Sequence, residues 1–222
     1  MEKLPKINII YEDNHLLVVE KPVNMPVCED ESKDLDLLTI LKKYLKENYS
    51  KPGNVYLGLV HRLDRPVGGI MVFAKTSKAA SRLSNQVREK QLSKIYYAVV
   101  ENKLKQKDTL KDYLIKNEKT NITTVTTKDK GKEAILNYEV LKTKDNLNLV
   151  KINLVTGRSH QIRVQFSSRN NPLYGDQKYN KNAISNTNIA LFAKILSFNH
   201  PVTKEKLTFE IDLPKRYPFN IF

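Results

Sequence analysis

The stretch from Gly68 to Thr76, GGIMVFAKT, is a continuous apolar run of strand length, and it constrains the fold more than any other part of the chain. Such a run reads as a strand buried in the interior, so the rest of the sequence must supply elements that cover it. Directly after it, Ser77 opens a helix on which Ala80, Leu83 and Val87 share one face. Directly before it, VYLGLVHRLD is an extended segment that reaches the run through a turn rich in proline and glycine.

Elsewhere the chain reads as strands in blocks with a few helices. Residues 7–21 form two strands around an Asp13-Asn14 turn, and a loop with Pro22 and Pro26 follows. Leu37, Ile40, Leu41, Tyr44 and Leu45 recur at helical spacing between about 36 and 48, with Asp34 or Asp36 placed as N-cap. KPGN at 51–54 ends that helix, and KIYYAVV at 94–100 is strand again. The section 101–150 is polar and lysine-rich. Within it NITTVTTK and EAILNYEVL alternate as strands, and a turn at Asp129-Lys130-Gly131 predicts that they form a hairpin. LNLVKINLVTG supplies a further strand or pair, and RSHQIRVQFSS a short helix in which Ile162 and Phe166 fall four apart. ALFAKILSF and LTFEIDL are strand-like. The expected class is α+β, with a mixed, largely antiparallel β-sheet core and flanking helices and loops. With no internal repeat or linker, one domain spanning 1–222 is expected.

The formal net charge is +14, which favours a polyanionic partner, either nucleic acid or an anionic membrane surface. The sequence has no eighteen-residue apolar run and no basic amphipathic terminal helix, so nucleic acid is the expected partner and a membrane is not. Richness in Lys, Asn and Ile would produce the same charge by composition alone, which makes the scarce arginines more informative. Of eight arginines, Arg62, Arg65, Arg158 and Arg163 fall in two short segments. The single cysteine, Cys28, can make neither an intramolecular disulfide nor a cysteine zinc site, and the N-terminus has no signal pattern. A reduced, cytoplasmic setting is expected.

Three segments carry chemistry. In Gly58-Leu59-Val60-His61-Arg62-Leu63-Asp64-Arg65-Pro66, a carboxylate sits between two arginines that would keep it ionised and could grip phosphates. The bland alternative is an aspartate capping a turn beside Arg65. In Thr156-Gly157-Arg158-Ser159-His160-Gln161-Ile162-Arg163, polar groups crowd an apolar neighbourhood, and the alternative is a solvated helix start. In Lys94-Ile95-Tyr96-Tyr97, strand alternation sends the two tyrosines to opposite faces, so at most one can join a site.

Taken together, these segments resemble the RluA-type family of ribosomal and transfer RNA pseudouridine synthases. HRLDRP, the FAKT after it, KIYYA, GRSHQIRV, NPLYGD and LSFNHP stand in that family's order and at about its spacing, from about residue 7 to 213. The resemblance implies the pseudouridine synthase fold and isomerisation of specific uridines in RNA, ribosomal or transfer, without a cofactor or metal. It places Asp64 at the essential aspartate, Tyr96 at the pocket tyrosine against the target base, and Arg163 at the arginine that pairs with the aspartate. Arg62 falls at the arginine that can fill the gap left by a flipped base. Arg65, Arg158 and His160 are expected on the RNA, together with Lys128, Lys130 and Lys132 of the lysine-rich hairpin. The family's long members begin with a small S4-type RNA-binding domain, and a pattern starting near residue 7 leaves no room for one. Where the family often has Thr-Ser-Gly after HRLDRP, this chain has Val67-Gly68-Gly69. The turn should survive, because glycine tolerates strained backbone, with loss of a polar contact expected at that point in the family's pattern.

The chemistry suits these residue types. Uridine loses its N1–C1′ bond, turns and reattaches through C5, with a relocated proton as the only other change. One carboxylate can assist at the ribose, either attacking C1′ or taking a C2′ proton, whereas a glycoside hydrolase needs two spanning the bond. Nothing requires more than a monomer. Two rivals remain on sequence grounds: a non-catalytic RNA-binding protein, which has no use for Asp64, Tyr96 and Arg163 together, and a ribonuclease using His61 and His160 as acid and base. His61 is expected to be packed and hydrogen-bonded, and His200 to be a turn residue. His15, His61, His160 and His200 are too widely spaced for a zinc site.

Overall fold

The computed structural model describes residues 5–50 and 53–222, so part of the KPGN stretch lies outside the described residues. The chain forms two compact units, Met1–Leu92 with Ile195–Ile211, and Ser93–Lys194 with Asp212–Phe222. The fold is α+β.

In the first unit, β1 (Asn8–Glu12) and β2 (Leu16–Lys21) pair antiparallel, as read from the sequence. Asp13 makes their turn: its Oδ1 accepts from the backbone N–H of His15 and Leu16, each at 2.7 Å. Helix α1 (Leu37–Asn48) settles the choice of cap, since Asp36 accepts from Thr39 N–H at 3.0 Å while Asp34 pairs with Arg65. Strand β3 (Gly58–Leu59) and strand β4 (Gly68–Ala74) follow, and every residue of β4 is buried. Helix α2 (Ser77–Arg88) starts on a Thr76 side-chain cap and packs Ala79 and Leu83, with Ala80 and Val87 partly buried, onto Leu16, Val18, Ile70 and Val72. Strand β10 (Leu191–Asn199) begins in the second unit and ends in the first, where β11 (Lys206–Glu210) pairs with it antiparallel. The strand order in this unit is β1-β2-β4-β10, with β3 beside β4 and β11 beside β10. His200 holds the β10–β11 turn: its Nδ1 accepts from Val202 and Thr203 N–H, and its Nε2 lies 2.9 Å from Asp13.

In the second unit the order is β5 (Ser93–Glu101), β9 (Leu147–Leu154), β8 (Lys132–Lys144), β6 (Lys107–Asn117), β7 (Ile122–Thr126), with each neighbouring pair antiparallel. Here the expected hairpin is corrected. The 127–131 turn exists, with Lys130 and Gly131 N–H on the Thr127 carbonyl, but β7 and β8 do not pair with each other. Each pairs with β6, which lies between them. Helix α3 (Gln161–Ser167) covers one face of this sheet, and its residues from Gln161 to Phe166 are all buried, so it is no solvated helix start. Phe166 packs on Tyr138 with ring centroids 5.2 Å apart. Gln165, fully buried, donates to the carbonyls of Leu110 and Ala134 and to Asp112, which ties α3 to β6 and β8.

Candidate active site residues in each unit

In the first unit, Asp64 stands at the start of a tight turn whose Val67 N–H donates to the Asp64 carbonyl at 2.9 Å. The buried side chains of Leu63 and Val67 anchor the turn at both sides. His61 is buried behind it, and its Nε2 accepts from the Val72 N–H of β4 at 3.2 Å, so the ring serves as a packed, hydrogen-bonded element.

A residue that the sequence reading missed holds this corner from below. Lys21 ends β2 with no exposed surface, and its Nζ donates to the carbonyls of Pro22, Met25 and Arg65 at 2.8, 2.7 and 2.9 Å. Burial pushes the Lys21 ammonium down to about 7, against the favourable pull of the Asp64 charge. Three acceptors take all three N–H groups of an ammonium, one more than a neutral amine has. The only sequence signal was a lysine closing the apolar run LLVVEKP. Lys21→Met should therefore leave three carbonyls unmet and cost at least about 3 kcal/mol of unfolding free energy. Denaturant titration checks this, and a loss under about 1 kcal/mol would remove Lys21 from the account of the turn.

The arginines around Asp64 differ. Arg62 is exposed and makes no hydrogen bond or ion pair among the described residues. Arg65, expected on the RNA, is exposed beside the 24–34 loop, where it meets Asp34, the Ser32 hydroxyl at 2.9 Å and Asp30 at 3.6 Å. Two carboxylates already balance that guanidinium.

In the second unit, Tyr96 of β5 is buried opposite Ile152 of β9, on the sheet face that bears α3. Tyr97 points to the other face, with Lys194 Nζ 5.4 Å from its ring centre. Arg163 of α3 is buried and makes a bidentate pair with Asp176: Nε to Oδ2 is 2.9 Å and Nη2 to Oδ1 is 2.6 Å. Its guanidinium also lies 5.0 Å over the Tyr179 ring. The Tyr179 hydroxyl accepts from Thr123 N–H at 2.9 Å and sits 2.6 Å from His160 Nδ1. Burial raises the pKa of that hydroxyl. His160 is buried, in the left-handed region at φ 52°, just where α3 begins. It thus belongs to the scaffold around Arg163, and the same holds for Asp176 and Tyr179. Asp176 closes NPLYGD and Tyr179 follows three residues later, yet an aspartate after a glycine turn reads as a loop residue until its partner is known.

Arg158 is exposed, with Nε on the Glu133 carbonyl at 2.8 Å. Gln161 braces the corner before α3: its Oε1 accepts from the Thr156 hydroxyl and from Arg158 N–H, and its Nε2 donates to the Ile135 carbonyl. Lys128, Lys130 and Lys132 are exposed around the 127–131 turn. Among the described residues no three His, Cys, Asp or Glu side chains are grouped to hold a metal ion, and no helix is long and apolar enough to cross a membrane.

The model of the family described as RNA pseudouridylate synthase matches residues 15–168. An uncharacterized RNA pseudouridine synthase of Aquifex aeolicus (strain VF5) is 33% identical over 97% of this chain and 72% of its own length. Ribosomal large subunit pseudouridine synthase C of Buchnera aphidicola subsp. Baizongia pistaciae (strain Bp) is likewise 33% identical, over 95% of this chain and 68% of its own length. Among solved structures, human RNA pseudouridylate synthase domain containing 4 has the same fold, with a TM-score of 0.79 at 22% identity, covering 94% of this chain and 89% of that one.

Proposed function

We propose which residues carry the chemistry of this chain, which belongs to the RluA-type family of RNA pseudouridine synthases and is an isomerase that converts uridine in RNA to pseudouridine. Asp64 is the catalytic carboxylate. It acts at the ribose while the N1–C1′ bond breaks, the uracil turns and the C5–C1′ bond forms, either as nucleophile at C1′ or as base at C2′. Tyr96 lies against the target base and helps to remove the C5 proton, which leaves as the new bond is made. Arg163 is the counter-ion that keeps the carboxylate charged in a dry environment, where water cannot capture the detached sugar. The chain is one catalytic domain.

The observation that best supports this reading is the Asp64 corner. A backbone turn anchored by two buried apolar side chains and a buried lysine is the kind of rigid support that positions a reacting carboxylate. The nuclease alternative is weaker, because His61 Nε2 already accepts a strand amide and His160 Nδ1 faces a tyrosine hydroxyl.

The target uridine leaves its stack at a cost of about a few kcal/mol, which cationic contacts to phosphates offset. Arg62 fills the vacated place, and Arg158, Lys128, Lys130 and Lys132 bind the backbone. Arg65, beside the 24–34 loop, and His160, beside Tyr179, complete the set of RNA contacts. Relatives named as ribosomal large subunit synthases C and D make ribosomal RNA the first substrate to try, with transfer RNA second. The chain acts as a monomer in the cytoplasm, a compartment that suits its one free cysteine. The test is tritium release from unmodified transcripts labelled at uridine C5, with RNA integrity followed on a gel. Release with intact RNA by the wild type and none by Asp64→Ala is the expected result. Cut RNA, or release that survives the substitution, overturns the assignment.

A further inference from the structure

We propose that Lys94, with the Gly157-Arg158 corner beside it, is a binding site for one backbone phosphate of the RNA, adjacent to the nucleotide that Tyr96 faces. The inference rests on the reading of Tyr96 given above, and it assigns a role to a cation that the isomerisation itself leaves unused.

Alternation along β5 puts Lys94 and Tyr96 on the same face of the sheet and Ile95 and Tyr97 on the other. Two residues of strand separate the bases of the two side chains by about 7 Å, so a nucleotide whose base meets Tyr96 brings its own phosphates within reach of a lysine side chain. Lys94 is only partly exposed, yet it makes no hydrogen bond and no ion pair with any described residue. Burial holds its ammonium below the ordinary lysine pKa, and no neighbouring anion offsets that. A desolvated charge without a partner costs stability and persists where a ligand supplies the counter-charge.

The surroundings fit an anion. A Cβ on Gly157 would lie 3.6 Å from Lys94 Nζ, so the ammonium stands against a corner of backbone with no side chain over it. Gly157 and Arg158 are both exposed. The Arg158 Nε is used on Glu133, while its Nη groups make no bond among the described residues. A compact ammonium against Gly157 and the guanidinium of the residue that follows it can share one phosphate. The phosphate is the anionic group that RNA offers.

The test uses the full chain and an unmodified transcript labelled at uridine C5, and compares the wild type with Lys94→Met and Lys94→Arg. For Lys94→Met, KM and Kd should rise about tenfold with kcat changed less than about threefold, as expected for a lost charged contact. The slope of log K against log salt should shrink by about 0.7, one phosphate on a single strand. Lys94→Arg should keep most of both. The melting temperature of Lys94→Met should not fall, because an unpartnered buried charge is being removed, whereas a merely structural lysine would lower it. An unchanged salt slope, or loss of melting temperature and kcat together, overturns the proposal. Binding is followed apart from turnover. Turnover with an unchanged slope therefore sinks the phosphate contact alone, while a Lys94-dependent slope with no tritium release sinks the pseudouridine reading and keeps the contact.

Discussion

Asp64→Asn should lower the rate of pseudouridine formation at least about 10³-fold while leaving the folded chain and its RNA affinity nearly unchanged. The separation follows from what holds the residue. The hydrogen bond that closes the turn uses the Asp64 backbone carbonyl, and Leu63 and Val67 anchor it, so none of these depends on the carboxylate. Asparagine keeps the size and loses the charge. Asp64→Glu keeps the charge and moves it by one methylene; displacement of about 1 Å at a reacting centre costs roughly a hundredfold. The carboxylate also acts on Lys21, whose ammonium its charge supports. Asp64→Asn should therefore lower the Lys21 pKa further below about 7, and stability near neutral pH should fall slightly. Single-turnover rates, filter binding and thermal melts on the same samples separate these effects. An Asp64→Asn enzyme that retained a tenth of the wild-type rate would remove Asp64 from the reaction.

The residues proposed for the site are legible in the chain because they lie in short motifs. The resemblance carried by HRLDRP and GRSHQIR points to Asp64 and Arg163 without any knowledge of the fold, and β4 and α2 are marked by period and cap. What stayed hidden was whatever depends on partners far along the chain. Lys21 looks like the polar end of a strand, and only the three carbonyls around it show that it braces the Asp64 turn. Asp176 looks like a loop acid until Arg163 is set against it. Strand β6 was missed because only Leu110 and Leu114 of its sequence KDTLKDYLIKN are buried, four residues apart, with charged residues between. Without β6 the two strands around Asp129-Lys130-Gly131 had no other neighbour than each other, and a false hairpin followed. The three lysines assigned to that hairpin are nonetheless exposed together, since the turn that carries them does form.

Asp176→Ala should unfold the second unit more readily than any other single change near Arg163, by about 3–5 kcal/mol. The wild-type pair is almost wholly enclosed, with side chains 5% and 0% exposed for Arg163 and Asp176. Removing the carboxylate takes away the bidentate partner of a guanidinium that cannot lose its proton. It also strips the acceptor from the backbone N–H of Lys178 and Tyr179, which both donate to Asp176 Oδ1. Tyr179 would then lose the backbone support that sets its ring under Arg163 and its hydroxyl against His160 and β7. Gly175 leaves no room for rearrangement: it holds φ +70°, and a Cβ there would approach the Asn188 carbonyl oxygen to 2.5 Å. The pair as a whole need not be worth that much. A buried ion pair replaced by apolar side chains of similar volume is often neutral, so Arg163→Met with Asp176→Leu should be less destabilised than Asp176→Ala alone. That double variant should still be inactive, because the proposed counter-ion of Asp64 is gone. Denaturant unfolding of the single and double variants gives the coupling, and tritium release gives the activity. If Asp176→Ala and the double variant lost the same stability, the pair would be no more than two independent packed side chains. If the double variant turned over RNA, Arg163 would have no part in holding Asp64 charged.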